Sequence, residues 1–174
     1  MEAELPVSGA LAYFLTWNTY GTWLPGDSRG WHRKRSPGRR PPSEWLARAA
    51  SRRMSEPSLE LAFGQRVIVE RTIAAHCEIR RWELHAVNAR VNHIHAVVSA
   101  PRTDGNRVRE QLKAWCTRKL RGAGFHRDNF WAEGGSVHVL ESETALMQAV
   151  EYVLYAQDRK KDEADGCEKR HRKM

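Results

Sequence analysis

The pattern of apolar residues predicts an α+β fold, an antiparallel sheet with helices on one face. Three observations carry this. Residues 11–20, LAYFLTWNTY, are aromatic and β-branched and read as a strand. Residues 65–80, QRVIVERTIAAHCEIR, set apolar side chains at helical spacing. The runs RWELHAVNAR and NHIHAVVSAP read as two strands of a hairpin, turning near Ala89 to Val91.

Taken in order, the first strand gives way to an insertion, residues 21–64, rich in the Gly, Pro and Arg of turns and loops. A loop this long inside a compact domain is usually functional or disordered. Within it SEWLARAASRRM predicts a short helix capped by Ser43. The helix from Gln65 to Arg80 sets Val67, Ile68, Arg71, Ala74, Ala75 and Cys77 on one side. The hairpin follows, and Pro101 ends it. NRVREQLKAWCTRKLRGAG predicts a second long helix with Asn106 near its cap and Gly122 at its end. Val108, Leu112, Trp115 and Leu120 line its inner side, Lys and Arg its outer side. A fourth strand covers Val137 to Leu140, and Ser142 caps a last helix, ETALMQAVEYVLYAQDRKK. Strand, helix, strand, strand, helix, strand is the order of a split βαβ, ferredoxin-like sandwich. The insertion and the C-terminal, tyrosine-bearing helix are additions to it. Residues 10–160 are expected to form one domain. Residues 161–174 are charged, nearly free of apolar side chains, and expected to be disordered.

The 174 residues suffice for a sizeable core. Lys and Arg number 29 against 21 Asp and Glu, a net charge of +8, which suggests a polyanionic partner, nucleic acid first. Seven tryptophans are available for core packing or for stacking on bases. Three cysteines without a Cys-x-x-Cys pair argue against a disulfide framework or a thiolate zinc site. No run of 18 apolar residues predicts a membrane span. The N-terminus lacks the basic region of a secretory signal, so a cytoplasmic location is expected.

The residues most in need of a reason are His93 and His95. Alternate residues of a strand share a face, so His93, His95, Val97 and Ser99 point one way and Asn92, Ile94, Ala96 and Val98 the other. The second face is apolar and should meet the helices. The first carries two imidazoles about 7 Å apart along the strand. Such a pair can hold one metal ion, or the rings are surface or hydrogen-bonded core residues. The last helix carries Tyr152 and Tyr155. A tyrosine hydroxyl can attack a phosphodiester when a divalent cation stabilises the phosphate and the leaving alkoxide, storing the bond as a phosphotyrosine.

With His93-Ile94-His95 inside WELHAVNARVNHIHAVVSAP, Tyr152 inside AVEYVLYAQ, the opening YFLTWNTYGTWLPGD and the run FWAEGGS, the chain resembles the single-tyrosine HUH transposases of small bacterial insertion sequences, including the REP-associated tyrosine transposases. The likeness spans roughly residues 12–158. It implies a ferredoxin-like core acting on single-stranded DNA, often beside a hairpin. It implies Mg²⁺ or Mn²⁺ on His93, His95 and a polar residue of the tyrosine helix. Tyr152 would attack the scissile phosphate, stay joined to the 5′ phosphate and free a 3′ hydroxyl. The metal is implied by the resemblance, since imidazole by itself favours Zn²⁺ or Ni²⁺.

One departure concerns the third ligand. The family's Gln or Asn lies four residues after the tyrosine; here that position is Ala156, and Gln157 is five on. At about 100° per residue Gln157 falls around the helix from Tyr152, in line with Leu146, Val150 and Val153. Either the helix bulges before Gln157, or Gln157 ligates while Tyr152 enters from another direction, or Gln157 only caps and packs. Tyr155 is the rival nucleophile.

For DNA binding, the insertion interleaves Trp23 and Trp31 with Arg29, Arg33, Lys34, Arg35, Arg39 and Arg40, the mix of cations and indoles that holds single strands. Lys113 and Arg118 on the outer side of the second long helix offer a further cationic face. The reading is a metal-dependent transposase that cuts and rejoins single-stranded DNA, its partner being hairpin-flanked element ends and its assembly a monomer or a homodimer. The alternatives are a non-catalytic single-strand binder on the same fold and a replication-initiation nickase with the same chemistry.

Overall fold

The structure, a computed structural model, describes residues 10–32 and 38–156. Strand β1 (Ala12–Asn18) leads into a short hairpin, β2 (Trp31–His32) and β3 (Arg39–Arg40), and then helix α1 (Glu44–Arg52). Helix α2 (Phe63–Arg80), strands β4 (Glu83–Ala89) and β5 (His93–Ser99), helix α3 (Gly105–Gly122), strand β6 (Ser136–Leu140) and helix α4 (Glu143–Glu151) follow. Helix α4 continues as a π-helical turn, Tyr152–Ala156.

The four long strands form one sheet in the order β4-β5-β1-β6, all pairs antiparallel. That is the split βαβ arrangement which the element order predicts. Alternation along the two central strands creates two faces. Tyr13, Leu15 and Trp17 of β1 join Ile94, Ala96 and Val98 of β5 against Val69 and Ile73 of α2 and Leu112 and Cys116 of α3. Each of the larger side chains there contributes about 1.5–3 kcal/mol by leaving water. On the reverse face Ala12, Val97 and Leu140 meet Ala149 and Val153 of the C-terminal helix, with Phe14 and Val150 at the margin. The added helix therefore lies across the sheet from α2 and α3. It covers only part of its face.

Two helical faces differ from the sequence reading. Helix α2 buries Gln65, Val69, Thr72, Ile73, His76 and Cys77, whereas Arg71 and Ala75 are exposed. The polar members disguise this face because each brings its own partner. The Gln65 side chain accepts the Ala62 N–H at 2.8 Å, Thr72 donates to the Ile68 carbonyl at 2.6 Å, and His76 bonds Gln111. Helix α3 is capped by Asp104, whose carboxylate accepts from the N–H groups of Asn106 and Arg107. Asn106, expected near the cap, lies two residues past it. Lys113 is not on an outer side: it is buried and donates to the carbonyls of Ala132 and Gly134, both at 3.1 Å. Arg109 is buried too and donates to the Gly135 carbonyl at 2.9 Å. The two cations pin the loop before β6, and desolvation lowers the Lys113 pKa.

Within the insertion, α1 buries no residue and is capped by Ser43. Its anchor is the Ser43 N–H, which donates to the Gly26 carbonyl at 2.9 Å. Gly26 has φ +89°, and a Cβ there would come within 2.3 Å of the Ser43 carbonyl oxygen, so only glycine suits the turn. The sequence reading of a disordered tail at 161–174 lies outside the described residues.

Candidate active site

Strand alternation sets His93 and His95 on the sheet face that α4 shares. Their ring centroids are 4.7 Å apart at 75°. His95 is buried, and Nδ1 lies 2.8 Å from the hydroxyl of Thr16, its direct partner on β1. His93 Nδ1 lies 2.7 Å from the side-chain oxygen of Asn92. That oxygen can only accept, so His93 Nδ1 carries the proton and Nε2 the lone pair. Burial, with His93 and Arg90 adding, lowers the His95 pKa to about 3. His95 is thus neutral at physiological pH, the form that ligates metals.

Tyr152 opens the π-helical turn. Its ring stands edge-on to His95 at 5.8 Å and to Phe14 at 5.9 Å, and Phe14 in turn lies 5.5 Å from His95. The turn is tied to the sheet by Asn88, the partner of His95 on β4, whose side-chain amide donates to the Val153 carbonyl at 3.0 Å. His95 therefore sits between Thr16 on one side and Asn88 on the other, under Tyr152. Tyr155, by contrast, is 60% exposed and makes no ring contact with the site among the described residues. The helix does carry a bulge at Tyr152–Ala156. A π turn bonds i to i+5, so residues five apart along it stack much as residues four apart do in an α-helix. Gln157 itself lies outside the described residues. Among the described residues no group of three His, Cys, Asp or Glu is gathered for a metal.

The uncovered part of the same sheet face is a cleft of about 630 Å³. Thr16, Asn18 and His138 line it from the strands, Trp23 and Trp31 from the insertion, and Glu133 from the loop before β6. It joins the histidine cluster directly. Thr16 holds His95, and the His138 ring lies 6.2 Å from Phe14.

The expected DNA contacts separate into groups. Trp23 and Trp31 reach the cleft, with the Arg29 guanidinium 5.2 Å from the Trp23 ring and Arg40 5.9 Å from that of Trp31. Arg29 is also paired with Asp27 at 2.8 Å, which holds the Asp27 carboxyl at about 2. Arg39 and Arg40 are exposed on β3. Arg33, Lys34 and Arg35 lie outside the described residues. Lys113 is spent on carbonyls, and Arg118 lies over Trp115 on α3, in the layer across the sheet from the histidines. His85 bonds Ser99 at 2.8 Å at an irregularity of the β4–β5 register and does not join the pair.

Sequence reasoning missed Phe14, Thr16, Asn18, Asn88 and His138. A signal for the first three was there: alternation in AYFLTWN opposes them to Tyr13, Leu15 and Trp17. Asn88 and His138 show their place only through the pairing of β4 and β6.

No family model matches the chain, and no curated protein does. Solved structures that are similar include the following two. One is a REP-associated tyrosine transposase bound to a REP hairpin, with 14% identity over 88% of this chain and 69% of that one and a TM-score of 0.46. The other, from Deinococcus radiodurans R1, is described as a "putative transposase", with 15% identity over 88% of this chain and 95% of that one and a TM-score of 0.45. The likeness is loose.

Proposed function

We propose that the protein is a transposase-type nuclease that cleaves and rejoins single-stranded DNA through Tyr152, with a divalent metal ion on His93 and His95. The observation that supports this best is the edge-on contact of Tyr152 with a buried, neutral His95, itself 4.7 Å from a second imidazole. The donor set suits a metal: the Asn92 oxygen accepts from Nδ1 of His93, which puts the lone pair of that ring on Nε2, and Thr16 can hold His95 in the same tautomer. Mg²⁺ or Mn²⁺ bound there would offset charge on the phosphate oxygens and stabilise the departing alkoxide. Gln157 is the third ligand in this reading.

The residues of the chain divide the work. The Tyr152 oxygen forms a bond to phosphorus as its proton leaves to solvent, and the bond to the 3′ oxygen breaks. The 3′ oxygen takes up a proton, and the 5′ phosphate remains on the tyrosine. Attack by a 3′ hydroxyl reverses these bonds and rejoins a strand. Phe14 and Asn88 hold the phenol ring and its turn against the histidine strand. The cationic insertion receives the strand.

The test is cleavage of labelled single-stranded DNA from the flanks of the protein's own gene, in Mn²⁺ or Mg²⁺. The wild type is expected to cut, and Tyr152→Phe to bind equally well and not cut. Binding without cleavage in any divalent metal would make the protein a binding module.

A further inference from the structure

We propose that the cleft beside the histidines is a subsite for one unpaired nucleobase of the strand, next to the phosphate under attack. This rests on the nuclease reading of the histidine site and adds to it a position at which the protein itself senses a base. Three features carry it.

The walls are fixed aromatic platforms. The Trp23 indole N–H donates to the Gly30 carbonyl at 2.8 Å and the Trp31 N–H to the Pro41 carbonyl at 3.1 Å. Each bond holds an indole by its edge, and an arginine lies over one face of each ring, Arg29 over Trp23 and Arg40 over Trp31, so the opposite face is the one for a base. Trp23 is 37% exposed, an unusual cost for an indole unless something stacks on it. The floor is polar and open. Asn18 is half-buried there, and its side-chain amide has no hydrogen-bond partner among the described residues. An asparagine amide offers a donor and an acceptor side by side, the pair that an adenine edge completes.

The cleft is also in the right place and of the right size. Asn18 is the direct strand partner of His93, and Thr16 that of His95, so a base on this floor is one strand away from the metal pair. A volume of about 630 Å³ is within the range of small-ligand sites and takes a nucleotide, not a duplex. Arg40, against the Trp31 indole, adds positive charge nearby for an adjoining phosphate, while Arg29 is paired with Asp27.

The experiment reads binding of fluorescent single strands in EDTA, where cleavage is silent, with one abasic position moved along the strand. One position within a nucleotide or two of the cleavage site is expected to weaken wild-type binding about tenfold, the order of one lost base–indole stack. Trp31→Ala should lose this sensitivity and Trp31→Phe regain it, which separates stacking from misfolding. Asn18→Ala should keep the sensitivity to the abasic position but lose the preference for adenine there. Equal weakening of wild type and Trp31→Ala at every position would overturn the subsite. Because binding is read without metal, absent cleavage with the abasic effect intact would sink the nuclease reading and keep the subsite; cleavage with no abasic effect would do the reverse.

Discussion

The Thr16 hydroxyl lies 2.8 Å from Nδ1 of His95, directly across the β1–β5 ladder. Outer partners of this kind set the tautomer of a ligating histidine, and their loss typically costs about 10–100-fold in metal affinity. Thr16→Val keeps the β-branched shape that suits a strand. It should fold normally and bind Mn²⁺ about tenfold or more weakly, as measured by calorimetric titration.

Asn88 holds the tyrosine turn. Its amide is the donor for the Val153 carbonyl, one residue past Tyr152. Asn88→Ala should cost about 1 kcal/mol in stability. A displacement of the phenol by about 1 Å can lower the rate about 100-fold, so single-turnover cleavage should fall steeply while Mn²⁺ affinity stays put. A parallel fall in both would assign Asn88 to the metal instead.

His95 predicts a pH dependence for the metal-free protein. Its folded pKa of about 3 lies below the ordinary value of 6.5. Between these values the unfolded chain binds the proton and the folded one does not. Stability from this residue is complete above about pH 6.5 and falls as the pH drops towards 3, by about 3 kcal/mol at pH 4. Urea unfolding at a series of pH values checks it, with His95→Gln showing a flatter profile over the same window.

Much of this was legible in the sequence, for identifiable reasons. Strict alternation in HIHAVVS separated the imidazoles from Ile94, Ala96 and Val98, and that placed the pair on the reverse face. Five polar or charged side chains defeated the reading elsewhere. Gln65, Thr72 and His76 are buried with their own partners, so α2 is rotated from the face its aliphatic residues suggest. Arg109 and Lys113 look like a solvent face and are instead hydrogen-bonded to a loop 19 to 26 residues away. Local periodicity carries no record of such distant carbonyls. The cleft was illegible for the same reason: its walls come from the insertion and the loop before β6, and only tertiary packing brings them together.

Gly135 ties that loop to the site. Its φ is +137°, and a Cβ there would lie 2.5 Å from the Thr16 carbonyl oxygen. Neither backbone can yield cheaply, so Gly135→Ala should cost about 1–3 kcal/mol. Because the clash is at Thr16, the same variant should also weaken Mn²⁺ binding, whereas Gly124→Ala, where a Cβ meets open space at φ +92°, should lower stability alone.

The central claim, that Tyr152 is the nucleophile of a metal-dependent strand cleavage, is tested most directly by mass spectrometry of the protein after incubation with single-stranded DNA and Mn²⁺. The account predicts a 5′-phosphodeoxynucleotide adduct on the peptide 152–159, localised by fragmentation to Tyr152 and abolished by EDTA and by His95→Ala. An adduct localised to Tyr155, or cleavage that proceeds with no adduct and survives Tyr152→Phe, would contradict it.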